Sequence, residues 1–282
     1  MATTLDGTVG VTFPDATVVA PSEFVERFGE GCGLTQSGSD VLVDPKVRLK
    51  GEGFLDANGL YHTTRPVLPP EYITSGSHAL SNGGDPTTTV SALAGDLVIA
   101  FCANGGGADW AAPTGWSTLW AGLFSNDHKY CANAAFYYFA AVDGDVTVNP
   151  NYTGTSNHST SLIALVFRNV DQTTPFIQNT RSTYANTVVP AQQSLSGVLS
   201  SSAVIYMATG GHSAGGSARY NMTTSGYTEF DQGANDYYDH SQMVAYKVGP
   251  ASSETVASPT FSASGSTGFS AIGGMIEVAG LV

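Results

Sequence analysis

The sequence predicts an all-β protein: a jelly-roll-like β-sandwich built from two pseudo-repeated halves and preceded by an extended N-terminal arm. Three observations lead there. After about residue 80, short strand-like runs recur with Gly-, Asn- and Asp-rich turns between them, and no helix-length periodic segment interrupts them. The composition suits strands and turns: 33 glycines and only 12% charged residues leave little of the Glu, Lys and Arg from which long helices are built. The third observation is a repeated ground plan, in residues 92–171 and again in residues 200–280.

Residues 1–80 differ from the rest. Five of the ten Lys and Arg residues lie at or before Arg65, and a Pro-rich stretch runs from Arg65 to Pro70. Alternating apolar and polar positions around Phe13-Pro14-Asp15 read as extended chain with a turn. Ser22 to Phe28 is the one helical stretch, with Ser22 as N-cap and Phe24 and Phe28 four apart on one face. Lys46, Arg48 and Lys50 alternate with Val47 and Leu49, giving a strand whose cationic face is either solvated or set against an acidic neighbour. Ser75 to Pro86 reads as a linker, so the expected domains are an attachment arm, 1–80, and a sandwich, 81–282.

The first half opens with a buried run, Leu97-Val98-Ile99-Ala100-Phe101, followed by Gly105-Gly106-Gly107 and the pair Gly115-Trp116. An aromatic strand (Phe136-Tyr137-Tyr138-Phe139), an Asp143-Gly144-Asp145 hairpin turn and an apolar run from Leu162 to Phe167 complete it. The second half repeats the order: Ala203-Val204-Ile205-Tyr206-Met207, then Gly210-Gly211 and Gly215-Gly216, then Gly226-Tyr227. Met243-Val244-Ala245-Tyr246, a Gly249-Pro250 turn and Ile272-Gly273-Gly274-Met275-Ile276 follow. The pattern leaves open whether the halves form one sandwich or two.

Charge and cysteine usage narrow the function. A formal charge of −13 opposes a nucleic-acid backbone or an anionic membrane as partner. No apolar run reaches the ~20 residues of a helical membrane span. Cys32, Cys102 and Cys131 form no CxxC pattern and predict neither a metal framework nor a disulfide scaffold; Cys102 and Cys131 are expected as buried free thiols. The N-terminus shows no secretion signal, so a product assembled in the cytoplasm is expected.

Gly211-His212-Ser213-Ala214-Gly215 is a literal G-x-S-x-G after a strand-like run, yet the residues that follow disfavour the helix a nucleophile elbow needs. A serine hydrolase using Ser213 is therefore the minor reading, and a glycine-rich sandwich loop the main one. The six histidines never stand three to five apart, which removes the usual zinc patterns. Asp231, Asp236 and Asp239 make an acidic loop without the spacing of a calcium site. No cofactor is expected, and no catalytic residue.

Aromatic residues are the remaining lead. Trp116, at a repeated position, is expected in the core. Trp110, Trp120, Tyr237 and Tyr238 fall in or beside expected loops. There they would serve as subunit-interface anchors or as stacking surfaces for a glycan.

The stretch Gly7-Thr8-Val9-Gly10-Val11-Thr12-Phe13-Pro14-Asp15-Ala16-Thr17-Val18 resembles a segment of bacteriophage tail-fibre and related virion proteins. The order Gly95 to Ala100, Pro113 to Trp116, Tyr137-Tyr138 and Ile163 to Asp171 is similar to a β-sandwich domain of phage structural proteins. The resemblance implies a non-enzymatic virion component. A tail-fibre or adhesin role in host attachment leads, with a capsid decoration or head fibre next and a free carbohydrate-binding module after it. It also implies partners among other virion proteins, a closed homo-oligomer, expected as a trimer, and a host-surface glycan as possible receptor. Phe13, Pro14, Asp15, Lys46, Arg48 and Lys50 would then dock the arm to the particle.

Overall fold

The structure is a computed structural model of the 282-residue chain. It describes residues 67–80, 84–105, 109–126, 129–153, 158–212, 220–232, 240–262 and 268–281, and seven short strands before them. The chain divides into one unit of Met1–Pro66 with Val282 and another of Val67–Leu281.

In the first unit, β1 (Thr4–Asp6), β2 (Gly10–Thr12) and β3 (Val18–Val19) form a three-stranded antiparallel sheet. β4 (Leu34–Ser37) pairs with β5 (Asp40–Val43), and β6 (Phe54–Leu55) with β7 (Tyr61–His62). Phe13, Pro14, Asp15, Lys46, Arg48, Lys50 and the stretch read as helical lie outside the described residues.

The second unit contains two sets of nine strands. The first set is β8 (Glu71–Leu80), β9 (Thr88–Ala92), β10 (Leu97–Asn104), β11 (Trp110–Ala111), β12 (Ser117–Asn126), β13 (Lys129–Phe139), β14 (Gly144–Val148), β15 (Asn151–Tyr152) and β16 (Thr160–Arg168). The second is β17 (Phe176–Ala185), β18 (Gln193–Ser196), β19 (Ala203–His212), β20 (Tyr220–Asn221), β21 (Thr228–Gln232), β22 (His240–Val248), β23 (Ser253–Val256), β24 (Thr260–Phe261) and β25 (Gly268–Val278).

Strand order demonstrates the repeat. One five-stranded sheet runs β12-β13-β10-β16-β8, and the other runs β21-β22-β19-β25-β17, so every strand has its counterpart nine places on. The small two-stranded sheets match as well: β9–β14 with β18–β23, and β11–β15 with β20–β24. Equivalent turns use the same backbone. Gly115 (φ 83°) and Gly226 (φ 85°) both occupy the left-handed region just before the third strand of their sheet, which is why both halves carry Gly-aromatic there.

Three cores set the layering. On the outer face of the first large sheet, Val98, Ala100, Phe136, Leu162 and Val166 pack with Val90, Val148, Trp110 and Tyr152 of its small sheets. On the outer face of the second, Val204, Tyr206, Met243 and Met275 pack with Leu195, Val256 and Tyr220. Between the two large sheets, Leu97, Ile99, Phe101, Ile163, Leu165 and Phe167 meet Ala203, Ile205, Met207, Val244, Ile276 and Val278. The halves thus make one central sandwich, and each adds an outer layer of its own. The inner strands are consequently covered on both faces. β10 and β19 are buried along their whole length, and their sequences are apolar without alternation as far as Ala103 and Ala208.

The central contact is self-complementary. β13 lies on β19 and β25, β22 lies correspondingly on β10 and β16, and β10 crosses β19 at the centre. That is the pattern of an isologous dimer interface, here within one chain.

One expected boundary moves. Ser75 to Pro86 is not wholly a linker, and the arm does not extend to residue 80: Glu71–Leu80 is an edge strand paired with β16 along its length. Its small residues have a packing reason. A Cβ on Gly76 would sit 2.6 Å from Thr88 Oγ1 and 3.1 Å from Val90 Cγ1, so only glycine lets β9 lie across the strand.

Candidate functional site

All ten strands of the large sheets end together at one end of the sandwich. Asn104 pairs with Ala132 and Thr160, and Thr160 with Leu80; in the other sheet Gly211 pairs with His240 and Ser270, and Ala185 with Ser270. Residues 127–128, 213–219 and 233–239, which follow or precede these strand ends in sequence, lie outside the described residues.

At this end the central layer turns polar. Cys131, Asn133, Ser159, Ser161, Thr209, His240, Gln242 and Ser270 are all buried at this end, in a space that is aliphatic and aromatic farther along the same strands. The His240 ring lies between two hydroxyls, with Ser159 Oγ 2.7 Å from Nδ1 and Ser161 Oγ 2.8 Å from Nε2. Ser161 also donates to Gln242 Oε1 at 2.8 Å. These bonds tie β16 to β22 across the sheet interface.

The pseudo-equivalent corner, between β13 and β25, is built from Cys131, Asn133, Ser270 and Arg181. Arg181 Nε donates to Asn133 Oδ1 at 3.0 Å. Burial lowers the pKa of Arg181. The Cys131 thiol is pushed up to about 12, chiefly by burial, with Arg181, Ser270 and the Gly211 backbone pulling it back only partly. It is therefore a neutral thiol at pH 7 rather than a nucleophile. Among the described residues, the buried donors Asn133 Nδ2, Gln242 Nε2 and Thr209 Oγ1 find no hydrogen-bond partner. Asn133 and Gln242 occupy matching positions, opposite Ala103 and Thr209 respectively.

Chemically, this layer offers hydrogen-bond donors and acceptors and one cation. Two hydroxyls engage the His240 ring nitrogens where a triad would place a hydroxyl and a carboxylate. Among the described residues no group of His, Cys, Asp or Glu could hold a metal ion.

The residues singled out by sequence fare differently. Trp110 and Trp120 are not loop-borne and exposed. Trp110 lies in β11 at 4% exposure against Tyr152, with ring centroids 5.3 Å apart. Trp120 lies in β12 at 8% exposure. A register shift between Thr118 and Trp120 turns both Leu119 and Trp120 into the central layer. Trp116 is half-buried and stacks on Tyr138, with centroids 5.6 Å and planes 24° apart. Tyr237, Tyr238 and Ser213 lie outside the described residues. Cys102 and Cys131 are free and buried, as expected. They sit on opposite faces of the first sheet: Cys102 faces the outer core, and Cys131 stands two residues from Asn133 on the inner face.

Sequence reasoning missed the polar layer. Its signal is the polar residue at the same end of each apolar run: Asn104, Ser159-Thr160-Ser161, Thr209 and His240-Ser241-Gln242.

Comparison with protein families, with curated proteins and with solved structures finds no match to this chain. No helix among the described residues is long and apolar enough to cross a membrane.

Proposed function

We propose that this chain is a non-enzymatic structural protein of a bacteriophage virion, acting as a tail-fibre or adhesin component in host attachment. The observation that carries the reading is the convergence of strand ends from both halves at one end of a double sandwich. A framework buried on both faces fixes where those strands end, as a scaffold for binding loops requires. The resemblance of Gly7 to Val18 to virion proteins supplies the setting. Attachment through such a protein is multivalent: weak contacts at each copy are multiplied by copy number on one particle.

Immunogold labelling of purified phage particles with an antibody to residues 81–282 tests this. Label at the tail end is the expected result. Label spread over the head would reassign the chain to capsid decoration or a head fibre. Particles without label would overturn the virion reading.

A further inference from the structure

We propose that the first half carries a sugar-binding groove at the end of the sandwich opposite the loops, with Trp116 and Tyr138 as its floor and Asp143 and Asp145 as its hydroxyl acceptors. The groove has a volume of about 450 Å³ and is also lined by Val146 and Thr147. That size falls within the range of small-molecule clefts.

The repeat supplies an internal control. Ser117 pairs with Tyr137 and Thr228 pairs with Tyr246, so Trp116 and Tyr227 hold the same position in the two halves. Val98 pairs with Tyr138 and Val204 with Lys247, which makes Lys247 the counterpart of Tyr138. Counting back from buried Val148 and Val256 at the ends of β14 and β23, Val146 stands where Glu254 stands.

In the second half these positions close on themselves. Lys247 Nζ is 2.7 Å from Glu254 Oε1 and 5.8 Å from the centre of the Tyr227 ring, and the Tyr227 hydroxyl donates to Glu254 Oε2 at 3.2 Å. The Ala251 N–H satisfies the same carboxylate at 2.8 Å. In the first half Tyr138 and Val146 stand in place of the ion pair, Trp116 stacks on Tyr138, and the hollow stays open. The fold tolerates either solution, so folding alone does not demand the open one.

The chemistry of the open groove selects its occupant. Stacked rings offer an apolar face to the C–H side of a pyranose. Asp143 Oδ1 accepts from the Ala94 N–H at 2.8 Å and Asp145 Oδ1 from the Ser91 hydroxyl at 2.6 Å, which holds both exposed carboxylates in the lining of the groove. Carboxylates accepting from hydroxyls make charge-assisted bonds. An acidic rim on a protein of net charge −13 excludes anionic sugars, so the ligand is a neutral hexose residue. This inference does not depend on the virion reading, because the groove belongs to Val67–Leu281 alone.

The test titrates the full chain with a panel of neutral methyl hexopyranosides, read by calorimetry and by tryptophan fluorescence, with choline as the cationic competitor for an aromatic-acidic site. At least one glycoside is expected to bind with a dissociation constant in the millimolar range, about 1–10 mM. The double variant Asp143→Asn/Asp145→Asn keeps both Oδ1 acceptors and is expected to weaken binding about tenfold with an unchanged melting temperature. Trp116→Leu should abolish binding, whereas Trp116→Phe, which keeps a stacking ring, should retain it and so separate loss of the floor from loss of fold. No binding by any glycoside, binding of choline alone, or glycoside binding indifferent to these variants would overturn the proposal.

Discussion

The two halves of the sandwich solve one folding problem with different side chains. Both place a five-stranded sheet between a shared central core and a private outer one. Both turn into the third strand of that sheet at a left-handed glycine followed by an aromatic residue. Where the halves agree, the residues are apolar, small or turn-forming, as packing demands. Some differences exchange one core residue for another, as Phe101 against Met207; others, at Trp116 against Tyr227, Tyr138 against Lys247 and Cys131 against His240, surround a hollow or a polar layer.

The largest effect is expected where the halves depend on each other. Phe167 is fully buried in the central layer, edge-on to Tyr72 and Tyr246. Phe167→Ala should cost about 3–5 kcal/mol, the usual range for a buried aromatic. It should lower the stability of both halves together in urea denaturation. A loss confined to the first half would break the comparison.

Next come the buried carboxylates, which each half neutralises in its own way. Asp96 is clamped by Arg168, whose Nε and Nη2 each lie 2.9 Å from a carboxylate oxygen. Glu277 is fully buried but accepts from neutral donors: Gln178 Nε2, the Leu199 N–H and the Ser202 hydroxyl. Arg168→Met leaves Asp96 without its cation and should destabilise by about 1–3 kcal/mol. The partly exposed guanidinium keeps the figure at the lower end of what a fully buried pair would show. Ser202→Ala, which leaves Glu277 two donors, should cost less, about 1 kcal/mol. Thermal melts of the two variants side by side check the order.

Cys131 supplies a pH test. Its folded value of about 12 lies above the ordinary 9.0, so the native state holds the proton more tightly than the unfolded chain. The resulting stability is fully present below pH 9 and falls as the pH rises from 9 toward 12. Cys131→Ala should flatten that alkaline decline without altering the melt near pH 7 by more than cavity formation requires. Under native conditions neither Cys102 nor Cys131 should be alkylated by iodoacetamide, as peptide mass spectrometry would report.

The smallest effect belongs to the unpartnered donors of the polar layer. Thr209→Val replaces an orphaned hydroxyl with a methyl group of the same shape and should be neutral or stabilising by up to about 1 kcal/mol. A marked loss of stability would mean that the hydroxyl is bonded in solution, by water or by a bound ligand.

Much of this architecture is legible in the sequence, for identifiable reasons. Left-handed glycines and continuous apolar runs are local signals, so Gly115-Trp116 and Gly226-Tyr227, Leu97 to Phe101 and Ala203 to Met207 expose the repeat directly. β8 is not legible, because Ser75-Gly76-Ser77-His78 is small and polar for the sake of Thr88 and Val90 crossing it, a contact distant in sequence. The burial of Trp120 depends on a register shift in β12 that no residue type announces. The polar layer escapes for a third reason. In strands covered on both faces, alternation no longer separates inside from outside, so nothing local marks Asn133 and Gln242 as fully buried.

The most direct test of one sandwich shared by two halves is urea denaturation followed by two probes. All three tryptophans, Trp110, Trp116 and Trp120, lie in the first half, so their fluorescence reports that half. Hydrogen exchange of the amides of Val204 to Ala208, in β19, reports the second. The shared core predicts coincident midpoints and slopes, because neither large sheet keeps a covered inner face without the other. Two separated transitions, with β19 amides protected after the tryptophan signal is lost, would contradict it.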